Sequence, residues 1–138
     1  MGYLRDAKAV ANSIMKTLII FALVALLGAV MLVKSGGRIS ASEARDYLEK
    51  GALLVDVRSR AEYASDHLAN AANFPLDEIE SSLPIREPNK NRVLLLHCQS
   101  GTRSAVATQK LRRIGYTNVF NLGSLERARK IVEMPDNP

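Results

Sequence analysis

Tryptophan is absent from these 138 residues, and three Phe and four Tyr bring the aromatic share to only 5%. There is one cysteine, Cys98, and there are two histidines, His67 and His97. A single cysteine excludes an intrachain disulfide framework and any CxxC redox or metal motif. Two histidines 30 positions apart do not complete a zinc ligand set with it. No metal and no cofactor is therefore expected. A basic nucleic-acid face is missing too. The net charge is +5, from 19 Lys and Arg against 14 Asp and Glu, but four basic residues and one acidic residue precede Arg38, which leaves 15 and 13 for the rest. Without a basic block, and with few aromatics to stack on bases, nucleic acid is not an expected partner.

One stretch lacks charge altogether. Thr17 to Val33, TLIIFALVALLGAVMLV, runs 17 residues between Lys16 and Lys34. As a helix it would span about 26 Å, close to the hydrocarbon thickness once the flanking lysines snorkel. It is apolar all round, unlike an amphipathic surface helix, and the roughly 100 residues that follow are too few to wrap it in a core. The expected organisation is an N-terminal tail (1–16), a transmembrane helix (17–33), a linker (34–37) containing Ser35-Gly36-Gly37, a domain (38–133) and a C-terminal tail (134–138). A cleaved signal peptide fits less well, because the polar front is long and no A-x-A-like site follows the run. Arg5, Lys8 and Lys16 precede the run while Lys34, Arg38, Arg45 and Lys50 follow it, so the basic count does not decide orientation. A short basic tail before an uncleaved apolar segment resembles a signal anchor. The expectation is a single-pass protein of the cell membrane, its partner the lipid bilayer, with the domain on the outer, periplasmic side.

Beyond Arg38, short apolar runs alternate with helical patterns. Ile39 reads as the start of a first short strand, and Ser40 with Glu43 has capping-box spacing for a helix to about Lys50, stopped by Gly51. Ala52 to Val57 reads as a buried strand, Arg60 to Ala64 as a helical turn, Ala72-Asn73 as a very short strand and Leu76 to Ser82 as a small helix. Residues 84–91 read as a proline-bearing connection. Val93 to His97 reads as the central strand, Ser104 to Ile114 as a helix with Val106, Leu111 and Ile114 inward, Val119-Phe120 as a short strand, Gly123-Ser124 as a turn, and Leu125 to Val132 as the last helix. This alternation predicts an α/β domain with a mostly parallel sheet covered on both faces.

Cys98 falls where the central strand gives way to a helix, the place where open α/β sheets bind ligands. The small residues Ser100, Gly101 and Thr102 let backbone N–H groups turn inward as an anion-binding nest. The helix start adds the positive end of its dipole. A thiolate there would be stabilised and nucleophilic; the alternative is a buried structural cysteine.

The run Cys98-x-x-Gly101-x-Arg103-Ser104 resembles the active-site loop of the rhodanese family, the sulfurtransferases. Asp56-Val57-Arg58 with Glu62-Tyr63, then His67-Leu68, then Asn73-Phe74-Pro75, resemble that family's upstream motifs in order and spacing. The similarity covers about Arg38 to Val132. It implies a rhodanese-like three-layer domain that takes sulfane sulfur from a small anionic donor, such as thiosulfate, and passes it to a thiol acceptor, which can be a protein. Cys98 would be the catalytic nucleophile and persulfide carrier. Gln99, Ser100, Gly101, Thr102 and Arg103 would bind substrate, the backbone N–H groups around the outer sulfur and Arg103 against the donor's charge. Asp56, Arg58 and Ser104 would be structural near the site, Asp56 and Arg58 as an internal ion-pair and hydrogen-bond set near the loop and Ser104 as a helix N-cap. His97, by strand alternation, should point away from Cys98 and be structural, as should His67.

Two other readings compete. Tyrosine phosphatases also place a cysteine before an N–H-lined loop and an arginine, but with five intervening residues. Here there are four, a tighter ring suited to sulfur. A sulfur-relay or binding module without turnover is the other, kept open by departures from the family pattern: Asp66 and Asn70 where the family usually has Gly, and Gly123-Ser124 for a common Gly-Gly pair with no tryptophan after it.

Overall fold

The structure is a computed structural model describing residues 3–34 and 38–133, with side chains of the first stretch described at 10 and 12–26. It divides into two units, 1–36 and 37–138. In the first, helix α1 runs over Tyr3–Lys34, so helix begins well before the apolar run, in the part expected to be a polar tail. Large apolar side chains stand exposed at consecutive positions, Leu18 to Phe21 among them. The expected transmembrane helix is not shown: among the described residues no helix is long and apolar enough to cross a membrane. The side chains of residues 27–33 of that run, the linker residues 35–37 and the tail 134–138 lie outside the described residues.

In the second unit four strands form one sheet in the order β2-β1-β3-β4, every pair parallel. They are β1 (Leu53–Asp56), β2 (Ala72–Asn73), β3 (Leu94–Cys98) and β4 (Val119–Ser124). The second unit's helices are α2 (Ala41–Glu49), α3 (Arg60–Ser65), α4 (Ile79–Arg86), α5 (Thr102–Arg113) and α6 (Leu125–Glu133). Strand alternation sorts the core into two layers. Val55, Leu94, Leu96 and Cys98 face Ile79 and Leu83 of α4 and Ala107 and Leu111 of α5. Leu54 and Leu95 face Ala44 of α2 and Leu125, Ala128 and Ile131 of α6. The result is the expected three layers with β3 interior, so an all-apolar run such as Leu94–Leu96, buried on both faces, fits its place.

Local chemistry sets the helix starts. Ser40 Oγ accepts from Glu43 N at 3.2 Å to open α2. Ser59 and Glu62 form a reciprocal capping box on α3. The first strand reduces to one bridge, Arg38 beside Asn121, with Ile39 buried next to it.

Four expectations need correction. The small helix lies at 79–86 rather than 76–82: Ile79 and Leu83, one turn apart and both fully buried, fix its inner face, and Pro84 is accommodated inside it. Helix α5 begins at Thr102 with Gly101 as its N-cap, so Ser104 is not the cap but the third helical residue. Val106 is 42% exposed, while Ala107, Thr108 and Leu111 turn inward; the earlier start moves the buried stripe. Finally, β4 continues through Gly123-Ser124, expected as a turn, and carries a bulge: Leu96 pairs with Asn121 but His97 with Gly123. Asn70, where the family usually has Gly, has φ +63, a left-handed conformation that asparagine tolerates better than most side chains.

His97 is fully buried, points to the layer opposite Cys98, and neither ring nitrogen has a hydrogen-bond partner among the described residues. Its Nε2 is 3.9 Å from Asp56 Oδ2, too long for a hydrogen bond. Burial pushes the imidazole down to about 4, against the opposing pull of Asp56. The unfolded chain, with a histidine near 6.5, therefore binds the extra proton first. The contribution is full above pH 6.5 and is lost as pH falls toward 4. We expect about 2 kcal/mol of acid destabilisation from this one group. In urea melts between pH 7.5 and 4.5, His97→Leu should match or exceed wild type at pH 7.5 and gain on it steadily below 6.5. Parallel pH profiles would refute this.

Candidate active site

Cys98 ends β3 and has no exposed surface. The chain then turns over its own sulfur. Gly101, at φ +99, aims its N–H at Cys98 Sγ from 3.0 Å. Ser104 Oγ lies 3.6 Å from the same atom. Helix α5 starts at Thr102, so its first-turn N–H groups lack helical acceptors and are free to serve an anion. Burial raises the thiol pKa, but the Ser104 backbone N–H and hydroxyl and the N–H groups of Gly101 and Ser100 outweigh it, and the net shift is downward. Of the residues expected to form a nest, Ser100 and Gly101 turn their N–H groups to the sulfur, joined by Ser104 rather than Thr102, and these dipoles favour the thiolate.

The loop is braced from below. Ser100 bridges Ser124 of β4, and a Cβ at Gly101 would stand 3.1 Å from Gly123 Cα. Gln99 turns outward, its Oε1 3.4 Å from Arg58 Nη1. Ser100 Oγ and Thr102 Oγ1 are 3.4 Å apart and both residues are exposed.

Asp56 and Arg58 form the ion-pair set expected of them. Arg58 Nε and Nη2 reach the Asp56 carboxylate at 2.7–3.1 Å, and Nη2 also donates to Asp66 O at 2.6 Å. Both side chains are buried, and a buried pair is stable only with its hydrogen bonds completed. Asn73 Nδ2 ties the β1 exit further, donating to the carbonyls of Asp56 and Arg58. His67 stacks on Tyr63 with ring centroids 4.1 Å apart, and its Nδ1 lies 2.9 Å from Tyr63 O, a local structural role.

Arg103 is not a free cation. Its two terminal nitrogens each lie 2.7 Å from the oxygens of Glu62. That bidentate grip, with the Ser59 N–H behind it, holds the Glu62 carboxyl well below the usual carboxylate range. Three N–H groups of the guanidinium remain for a ligand. Glu62 appears in the sequence only as part of a motif. The S-x-x-E spacing of Ser59 and Glu62 was its readable signal, but its partner was not readable.

The residue that sequence reasoning missed is Asn121. It is 3% exposed in β4 and its Oδ1 lies 2.8 Å from both Ser104 Oγ and Gly123 N. Its one signal is a polar side chain inside the run Val119 to Leu122.

A cysteine at a strand end, capped by N–H groups and followed by an arginine, is common to several chemistries, and the wider chain decides among them. The rhodanese-like domain model matches residues 40–127. The chain belongs to the rhodanese family. It is 35% identical over 72 residues to the thiosulfate sulfurtransferase PspE of Escherichia coli, covering 52% of this chain and 69% of that one. It is 35% identical over 102 residues to the human thiosulfate:glutathione sulfurtransferase, covering 64% and 89%. The solved human single-domain sulfurtransferase TSTD1 superposes with a TM-score of 0.60 at 34% identity, over 72% of this chain and 98% of that one. Three further curated relatives, two tRNA uridine(34) hydroxylases and a tRNA sulfurtransferase, are longer, and the chain spans 30% or less of their length. The chain is a rhodanese-type, thiosulfate sulfurtransferase-like enzyme.

Gly101 and Gly115 both have φ +99, but nothing lies within 4 Å of a Cβ at Gly115. Gly115→Ala should therefore cost only the left-handed penalty, about 1–2 kcal/mol. Gly101→Ala adds a backbone collision with Gly123, and should cost about 1–3 kcal/mol more. Urea midpoints of the two variants measure the difference; equal losses would mean that the Gly101–Gly123 approach is not tight.

Proposed function

We propose that this enzyme moves a sulfane sulfur from thiosulfate, or a donor of the same kind, to a thiophilic acceptor through a Cys98 persulfide. The observation that carries this is the placement of Cys98 Sγ at the end of β3, with the Gly101 N–H on it at 3.0 Å. In the first half-reaction the Cys98 thiolate attacks the outer sulfur of thiosulfate. The donor's S–S bond breaks, its electron pair leaves with sulfite, and Cys98 carries the persulfide. In the second, a thiol, cyanide or a protein cysteine attacks the outer sulfur, and Cys98 departs as thiolate. The N–H groups of Ser100, Gly101 and Ser104 face the charge that appears on sulfur in both steps. Arg103, steadied by Glu62, offers its remaining N–H groups to the anionic donor. The names of two relatives, a thiosulfate sulfurtransferase and a thiosulfate:glutathione sulfurtransferase, support this donor and a small thiol acceptor.

We further propose that residues 17–33 anchor the enzyme in the cell membrane as a single pass, with the domain on the outer side. The uncharged run and the exposed apolar side chains of α1 support it: such a helix in water would leave a large apolar surface uncovered.

Thiosulfate treatment should add the mass of one sulfur atom at Cys98, and the acceptor should remove it. Steady-state kinetics should be ping-pong. Cys98→Ser should abolish turnover with the fold intact. Arg103→Ala should slow the thiosulfate half-reaction about ten- to hundred-fold and discharge of preformed persulfide much less. No persulfide with any sulfane donor would reject the proposal. A Cys98-dependent aryl phosphatase activity would then favour the phosphatase chemistry, and neither activity would favour the binding module. Separately, alkaline carbonate should leave the protein with the membrane, and reporters at the C-terminus should read the outer side.

A further inference from the structure

The hydrogen bonds round Asn121 contain one fact that heavy-atom positions alone fix. The Gly123 backbone N–H can only donate, and it lies 2.8 Å from one terminal atom of the Asn121 amide. That atom is therefore the oxygen. Ser104 Oγ lies 2.8 Å from the same oxygen. An amide oxygen has no proton, so Ser104 is the donor. The other end of the amide, Nδ2, then faces Gly101 O at 3.4 Å.

A hydroxyl has one proton, and four acceptors surround this one. They are Asn121 Oδ1 at 2.8 Å, Gly101 O at 3.0 Å, Gly123 O at 3.4 Å and Cys98 Sγ at 3.6 Å. Gly101 O already accepts the helical bond from Ala105 N at 3.1 Å. In the resting arrangement the proton sits with Asn121, and Ser104 turns a lone pair toward the sulfur. A neutral thiol tolerates that, since its S–H can point at the lone pair. A thiolate does not. Once the sulfur is charged it becomes the stronger acceptor, and a rotation about the Ser104 Cβ–Oγ bond is enough to turn the proton to it.

We propose that Asn121 is a positioning residue for sulfur transfer, holding the one proton of Ser104 and yielding it to Cys98 Sγ only when that sulfur carries negative charge. Its functional meaning rests on the sulfur-transfer reading above, because negative charge appears on Sγ before attack on the donor and again when the persulfide discharges. Asn121 sits on the hydroxyl and Gly123 lies under Gly101, with the β4 bulge between them.

The charged groups on the elements round β3 include the Arg103–Glu62 pair on α5 and α3, the Asp56–Arg58 pair at the end of β1, His97 on β3 itself, and Arg127 and Arg129 on α6; Lys110, Arg112 and Arg113 lie in the last turn of α5, and Glu126, Lys130 and Glu133 are also on α6. Arg127 donates to the carbonyls of Leu122 and Ile39, and Arg129 pairs with Asp66 and Glu133. None of them is altered by substitutions at 104 or 121, so a double-substitution cycle isolates the hydroxyl.

The test is the pH dependence of Cys98 alkylation by iodoacetamide in the full-length protein, which needs no sulfur transfer to be read. Asn121→Leu removes the competing acceptor. It should lower the midpoint by about half to one unit, so that alkylation below the midpoint speeds up about three- to tenfold. Ser104→Ala should raise the midpoint. With both substitutions the protein should behave as Ser104→Ala alone. An unchanged midpoint in Asn121→Leu, or the same downward shift with and without the serine, would overturn the proposal. If Asn121→Leu does not fold, Asn121→Asp retains the bonds from Gly123 and Ser104 and holds the proton harder. Its upward shift should then be larger with Ser104 present than with Ser104→Ala, and equal shifts would overturn the proposal. Persulfide loading by thiosulfate, followed in parallel by mass, reports on the sulfur-transfer reading independently of either result.

Discussion

The site hangs on one backbone turn. Gly101 adopts φ +99 so that its N–H points back at the sulfur three residues earlier. That conformation is open to glycine with little strain and to other residues at a cost. The turn also has to lie flat on β4, with a Cβ-sized space missing between Gly101 and Gly123. Much else follows from these two requirements. The strand next to β3 runs past the turn at Gly123, itself at φ +95, β4 bulges opposite Leu96 and His97, and α5 starts at Thr102 so that its first turn covers Cys98.

The electrostatics of the site are correspondingly built from fixed dipoles. Both arginines near the loop are already engaged, Arg58 by Asp56 and Arg103 by Glu62. The sulfur is served by N–H groups and a hydroxyl, whose positions the fold dictates. Oriented dipoles in a water-poor site do not have to reorganise when charge appears on the reacting atom, and this is their advantage over mobile side-chain cations. The engaged arginines still matter. A guanidinium held on two sides has lost most of its rotamer freedom before a ligand arrives.

The layered fold was legible in the sequence because its strands are apolar runs and its helices announce their starts. Leu94 to Leu96 could only be an interior strand, and Ser40, with Glu43 three residues later, marked the start of α2. What resisted reading depended on partners distant in the chain. The inner face of α4 is decided by Ile79 and Leu83 against the sheet, which overrode the local signal of Pro84. The extension of β4 through Gly123 and Ser124 depends on pairing with the end of β3 and with Ser100 of the active-site loop, which no local pattern encodes. The same is true of the site. Cys98, the N–H nest and the Asp56–Arg58 pair follow from local motifs. The engagement of Arg103 by Glu62, 41 positions away, and of Ser104 by Asn121, 17 positions away, follows only from the folded arrangement.

Cys98 is the sole cysteine of the 138 residues and is fully covered in the folded domain. Its oxidation chemistry is constrained by that solitude. A sulfenic acid formed at a reactive thiolate is ordinarily rescued by condensing with a neighbouring thiol. Here no second thiol of the same chain can resolve it, so recovery depends on a small thiol able to reach beneath the loop. The burial that slows access by an oxidant slows that rescue as well. Resistance to peroxide and dependence on external reductant are therefore two faces of the same geometry.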